Sequence, residues 1–374
     1  MSKINEYILD YTSKDYGSVD ASKCELDYSL GVNCTPLPGL VVNVLRAITP
    51  EDIKFYPHDA ATHNALTDAI REKFASVAPE LQRENILYGG GSFDLLSAAC
   101  MLYANANKKV MGHAPQFGAY VDFIHMTGAQ YVAYNLSREK GWAFDGEEFV
   151  AQVLREQPDL IVCENPNNPT GQILGSESIR RIIDCAAQAD AAVLFDEAYG
   201  DYLPLEESAV GFIEYGRKIG VDVLVSRTFS KAYGMAGMRL GYILGPAPAI
   251  AQLGKIVTPF NAATPAKKLA LAMLNDESFR TDRIRGQIAR AKAELCRLIE
   301  EIGPYRIART TMTTPIFTLY VEDENIDLEQ RLGEVGVCTV SCASYDNMGK
   351  NAVRVMFGEN YPRFVELLRQ VRLD

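Results

Sequence analysis

Histidine is scarce in this chain: the four present, His58, His63, His113 and His125, stand at no spacing that a metal site uses. The eight cysteines include no Cys-x-x-Cys pair and no Cys/His cluster, which argues against a zinc centre. They are expected to stay reduced and packed, as in a cytoplasmic protein. Long apolar runs are also missing. No uncharged stretch reaches the roughly 18–20 residues of a membrane span, and no membrane partner is expected. The opening Met1–Tyr7 has no apolar signal core, so a cytoplasmic location is expected. Positive charge is in deficit, with 37 Lys and Arg against 48 Asp and Glu and a formal net charge of −11. Nucleic acid is therefore a poor partner, and any phosphate-binding basic group has to be local. No internal repeat or low-complexity tract appears. Apolar residues are plentiful, at 48% of 374 residues, enough for two domains or a large one with a smaller one appended.

The rest of the chain is organised around Ser226–Arg239, which reads Ser-Arg-Thr-Phe-Ser-Lys-Ala-Tyr-Gly-Met-Ala-Gly-Met-Arg. It lies between two strand-like runs, Val223–Val225 and Leu240–Ile243. Lys231 is thus held in a tight loop, with the hydroxyls of Thr228 and Ser230 before it and Arg239 after it. A lysine that forms a Schiff base needs an electrophilic carbonyl held close and an anion site to anchor the group that carries it. Two hydroxyls and a guanidinium supply such a site.

Other segments offer complementary chemistry. Ile86–Leu96 reads as strand, glycine turn and helix start, so the N–H groups at Gly91, Ser92 and Phe93 can bind an anion without a cationic side chain. Asp196 ends the buried run Ala192–Phe195, where a carboxylate needs a cationic partner or several hydrogen bonds. Glu197 follows at odd offset and is expected on the opposite face. Arg354 is a lone charge within the apolar run Val353–Phe357. Apolar runs near 86, 109, 131, 160, 192, 223 and 240 alternate with helical patterns. That alternation predicts an α/β fold with a largely parallel, doubly wound, seven-stranded sheet and a site at the strand ends. After Pro259 the character changes to helices over 262–275 and 278–302, then a small α+β unit and a last helix over 361–371. The expected divisions are an N-terminal arm and small-domain segment at 1–45, a large domain at 46–250 and a smaller α+β domain at 251–374.

The lysine stretch, together with Asn167-Asn168-Pro169-Thr170-Gly171 and Asp196-Glu197-Ala198-Tyr199, resembles the fold-type I, class I/II aminotransferases. Within them it is most similar to the histidinol-phosphate aminotransferase and threonine-phosphate decarboxylase branch. The resemblance spans roughly residues 31–358 and implies a pyridoxal 5'-phosphate enzyme. Lys231 would form the Schiff base with the cofactor. Its phosphate would sit on Gly91, Ser92, Phe93, Thr228, Ser230 and Arg239. Phe117 would stack on the pyridine ring, Asp196 would pair with the ring nitrogen, and Asn168 and Tyr199 would share the phenolic oxygen. Arg354 would clamp the substrate carboxylate, and Asn33 would line the substrate mouth. This chain has Cys34-Thr35 where the family often continues its Asn-x-Asn-Pro pattern, so only Asn33 carries over. Tyr56 would reach the phosphate of a neighbouring subunit, which implies a homodimer with shared sites.

The implied reaction is amino-group exchange between an L-amino acid, or a histidinol-phosphate-like amine, and a 2-oxo acid. α-Decarboxylation is the alternative, because Ile326–Leu332 and Ser341–Tyr345 resemble the threonine-phosphate decarboxylase branch. Against it, the chain lacks that branch's N-terminal His-Gly-Gly element, and Ala236–Arg239 has the aminotransferase form. A non-catalytic cofactor-binding protein would be expected to have lost Lys231 or Asp196, and both are present.

Overall fold

Short runs rich in Val, Ile and Leu become strands, and the amphipathic stretches between them become the helices that cover both faces of a sheet. The structure is a computed structural model that describes residues 6–9, 24–31, 37–57, 59–277, 279, 281–358 and 360–373. After β1 (Leu26–Asp27), the strands β2 (Ile86–Gly89), β3 (Lys109–Ala114), β4 (Gln130–Asn135), β5 (Leu160–Glu164), β6 (Ala192–Asp196), β7 (Val223–Thr228) and β8 (Gly241–Leu244) follow. The last seven form one sheet in the order β2-β8-β7-β6-β5-β3-β4. Only β8 runs antiparallel to its neighbours. All seven runs expected from the sequence are its strands.

Every residue of β5, β6 and β7 is buried, as central parallel strands covered on both faces must be. Alternate residues serve opposite cores. Ile161, Val193, Phe195 and Val225 pack with helices Ala60–Phe74 and Ser176–Ala189. Leu160, Val162, Leu194 and Leu224 pack with helices Ser92–Tyr103 and Gly118–Met126 on the other side. The register pairs Glu164 with Asp196 and Asp196 with Ser226, so the carboxyl ends of three strands form one edge. A crevice at that edge is where open α/β sheets bind ligands.

The second unit contains β9 (Tyr305–Ile307), β10 (Ile316–Val321), β11 (Val337–Cys338), β12 (Val340–Ser341) and β13 (Ala352–Met356). Four of these make an antiparallel sheet, β12-β13-β10-β9. Helix Thr281–Ile302 packs on it through Leu295 and Ile299. Helix Thr264–Asn275 instead contributes Ala266, Leu269, Ala270 and Met273 to the core of the large sheet. No helix among the described residues is long and apolar enough to cross a membrane.

One expectation needs correcting. The cysteines are not all free, because Cys24 and Cys338 form a disulfide with Cα atoms 5.7 Å apart. The reason is the parallel pairing of β1 with β11, which sets Leu26 beside Val337 and Asp27 beside Cys338. A two-residue strand has no periodicity to read, and 314 residues separate the two thiols. The other cysteines among the described residues, Cys100, Cys163, Cys185, Cys296 and Cys342, are free.

Candidate active site

The lysine loop begins where β7 ends. Thr228 Oγ1 lies 3.1 Å from Leu240 O and 2.9 Å from Ser230 Oγ, and it accepts the Ser230 N–H at 3.1 Å. These contacts close the reversal that carries Lys231. Lys231 Nζ stands 5.2 Å from the centre of the Tyr199 ring. The main chain at Gly31 passes against both side chains: a Cβ there would lie 3.0 Å from Lys231 Nζ and overlap the Tyr199 hydroxyl. Only glycine fits that approach.

Arg239 closes the loop in a left-handed conformation, φ 49°. Its guanidinium donates to Ala236 O at 3.0 Å and Gly90 O at 3.3 Å. A Cβ on Gly91 would come within 2.5 Å of Arg239 Nη2, and Gly91 itself has φ +106°. A Cβ on Gly241 would sit 2.7 Å from the Ser92 nitrogen. Glycines therefore let the guanidinium, the Thr228–Gly241 strand pair and the start of helix Ser92–Tyr103 converge. Free N–H groups of a helix start, hydroxyls and a guanidinium in one place form a cup for a phosphate.

Beside this cup stand two buried carboxyls on adjacent strands. Asp196 Oδ1 accepts the Ala198 N–H at 2.9 Å. Burial pushes its pKa up to about 6, while that N–H and the charge of Lys231 pull the other way. Glu164 accepts three N–H bonds, from Phe117, Asn167 and Asn168. Glu197 turns to the opposite face, as its offset predicts, and pairs with Arg227 at 3.0 Å.

Arg354 faces the site from β13. Its Nη1 lies 3.1 Å from Tyr345 Oη and 3.4 Å from Asn168 Oδ1, and its Nη2 donates to Ser29 O at 2.5 Å. Tyr345 also donates to Asn168 Oδ1 at 3.1 Å. Arg354 is only 7% exposed, these partners are neutral, and its Nε has no hydrogen-bond partner. A buried guanidinium in this state is set up to receive an anion.

The structure thus gathers Lys231, Thr228, Ser230, Arg239, Gly91, Ser92, Asp196, Tyr199, Asn168, Phe117 and Arg354 around the strand ends. Phe93 begins the same helix but is 40% exposed, and Tyr56 is 75% exposed with its ring 5.2 Å from that of Phe260. Asn33 lies outside the described residues. Sequence reasoning assigned nothing to Glu164, Ser29 or Gly31, and it saw Tyr345 only as part of a branch resemblance. An acidic residue closing the apolar run Leu160–Cys163 was the one usable signal. Among the described residues no cluster of three His, Cys, Asp or Glu side chains is placed to hold a metal.

The residues fit pyridoxal 5'-phosphate. The Tyr199 hydroxyl is buried with no partner, as a donor waiting for a phenolic oxygen would be. Asp196 is a buried carboxylate suited to a pyridinium, the cup suits the phosphate, and Lys231 is near enough to lower the Asp196 pKa.

Comparison with known proteins agrees. A histidinol-phosphate aminotransferase of Caldanaerobacter subterraneus subsp. tengcongensis is 26% identical over 338 residues, covering 89% of each chain. One from Desulfitobacterium hafniense is 28% identical over 368 residues, covering 96% of this chain and 95% of the relative. Among solved structures, histidinol-phosphate aminotransferase from Sinorhizobium meliloti in complex with pyridoxal-5'-phosphate superposes with a TM-score of 0.79 at 20% identity, covering 99% of this chain and 96% of that one. Aspartate aminotransferase from Thermus thermophilus with maleate gives 0.81 at 19% identity and full coverage of both. These two share the fold. Residues 27–366 match the aminotransferase class I and II family, and the chain, a pyridoxal 5'-phosphate enzyme, belongs to it.

Proposed function

We propose that this enzyme moves the amino group of an L-amino acid to a 2-oxo acid in the site around Lys231. The observation that carries the substrate class is Arg354, a buried guanidinium with neutral partners and a free Nε, next to Asn168. A substrate carboxylate supplies the missing anion. The bound cofactor contributes an electron sink for the charge left at the α-carbon when its proton departs. Asp196 keeps the ring nitrogen charged, Tyr199 and Asn168 hold the phenolic oxygen, and Phe117 covers the ring face and keeps water off it. Lys231 Nζ would hold the resting cofactor and, once released, would take the substrate's α-proton and pass it to the cofactor side rather than back to the α-carbon. Arg354 fixes the carboxylate and so selects the bond that breaks. Turning that group out for decarboxylation would break charged hydrogen bonds worth about 2–3 kcal/mol each, so α-decarboxylation is not favoured.

The relatives' shared name makes a phosphorylated amine of the histidinol-phosphate kind the second donor to test. We further propose a homodimer with shared sites. Ile53, Phe55, Tyr56 and Phe260 line one exposed hollow, and Val42 and Leu45 on helix Leu40–Arg46 are about half exposed. Apolar surface of that extent suits a subunit interface, with Tyr56 reaching the partner's phosphate cup. The test is a panel of amino acids and histidinol phosphate, each with and without 2-oxo acids, with oxo product and carbon dioxide measured together. Acceptor-dependent oxo product is expected. Carbon dioxide as the main product would replace the transfer reading with the decarboxylase one.

A further inference from the structure

Phe117 and Asn168 belong to different loops, one leaving β3 and one leaving β5, yet the reading above needs them at a fixed separation. Two side chains join them: Glu164, and Asn167, whose Nδ2 also donates to Pro115 O at 3.0 Å. Glu164 Oε1 accepts the Phe117 N–H at 2.7 Å, while Oε2 accepts Asn167 Nδ2–H at 2.8 Å and the Asn168 N–H at 2.9 Å. The carboxyl is 2% exposed and stands beside Asp196 in the sheet register. Burial and the charge of Asp196 raise its pKa, and the three N–H bonds oppose them. His113 braces the same corner, with Nδ1 3.1 Å from Pro115 O and Nε2 3.4 Å from the Glu164 nitrogen. Burial lowers its pKa to about 4, so the ring is neutral, with Nδ1–H donating and Nε2 accepting.

We propose that Glu164 is a positioning residue whose two carboxylate oxygens lock the Phe117 loop to the Asn168 turn and so set the width of the cofactor slot. The proposal rests on the pyridoxal 5'-phosphate reading of the site. Both oxygens are needed. A glutamine has one acceptor oxygen, and its NH₂ would face a donor at either Phe117 or Asn167 and Asn168, so one side of the lock opens and the Asn167–Pro115 bond is left to span the loops.

The test compares wild type with Glu164→Gln, first without cofactor. Hydrogen exchange should accelerate about tenfold or more in segments 115–121 and 165–172, the loss expected for one buried charged hydrogen bond, and stay unchanged in helix Thr281–Ile302. Cofactor affinity should fall by a similar factor. Combining Glu164→Gln with Asn168→Ala should weaken affinity by less than the product of the separate effects, because both act on one contact. Glu164→Asp, which keeps both oxygens but withdraws them by one methylene, should fall between wild type and Glu164→Gln. It also replaces Glu164→Gln if that variant does not fold. Unchanged exchange in both loops, or acceleration spread evenly over the sheet, would overturn the proposal. Failure of the wild type to bind the cofactor would instead sink the underlying reading and leave the exchange comparison to be judged alone.

Discussion

Asp196 carries its proton more tightly in the folded chain than in the unfolded one, because its carboxyl is buried with one backbone donor on Oδ1. The reference value of 3.8 rises to about 6. A raised carboxyl pKa means that stability falls as pH rises through that window, since the folded state binds more protons there. At pH 7 the cofactor-free protein should be less stable by about 3 kcal/mol than it would be with a neutral group at this position. Asp196→Asn should therefore raise the melting temperature of the cofactor-free protein at pH 7, with the gain vanishing below about pH 4, as calorimetry across pH can show. The same variant should lose activity by several orders of magnitude, because an amide cannot hold the ring proton. Lys231→Ala should fold normally but lose the borohydride-fixable attachment of cofactor, read by mass spectrometry. Attachment that persists would place the linkage on another residue.

Which residues could be singled out from sequence follows from how each earns its position. Asp196 directly follows an apolar run, and Asn168 and Lys231 lie in the loops just beyond two others, so their place at strand ends was legible. Glu164 stands in the same kind of place, but the loop it ties in through Phe117 is 47 residues away, and Tyr345 meets Asn168 across 177 residues. Contacts of that kind leave no local pattern.

Among the elements, the strands of the large sheet were legible because buried parallel strands are continuous apolar runs. Strand β1, two residues long, was not, and neither was the disulfide that its pairing with β11 allows. Helix Thr281–Ile302 was legible by its apolar face, but that face hides Lys292. Its Nζ is fully buried among Thr310 Oγ1, Thr311 O, Thr314 O, Thr314 Oγ1 and Ile316 O, at 2.6–3.1 Å. Burial draws its pKa down to about 7, yet five acceptors are matched best by the three N–H bonds of an ammonium. Thr314 Oγ1 in turn lies 2.7 Å from Gly171 O, in the turn that carries Asn168. Lys292→Met keeps the bulk and strands these acceptors, and should destabilise the protein by about 3 kcal/mol in denaturant titration. A loss below about 0.5 kcal/mol would mean that the acceptors find other donors.

For the whole molecule, the proposed homodimer would put the exposed hollow around Tyr56 and Phe260 at the subunit interface. If each site borrows Tyr56 from the partner, a Tyr56→Ala subunit and a Lys231→Ala subunit, each inactive alone, should form hybrids with one intact site. Activity should reappear on mixing under conditions that exchange subunits. Hybrids shown to form without recovery would confine each site to one chain.

The transfer itself is tested most directly by a reaction denied its second substrate. Enzyme carrying bound cofactor is mixed with a single amino donor and no 2-oxo acid, and the oxo product and carbon dioxide are counted per cofactor. The account predicts one equivalent of oxo product, no carbon dioxide, a halt, and renewed turnover when a 2-oxo acid is added. Continuous turnover without an acceptor, or steady release of carbon dioxide, would contradict it.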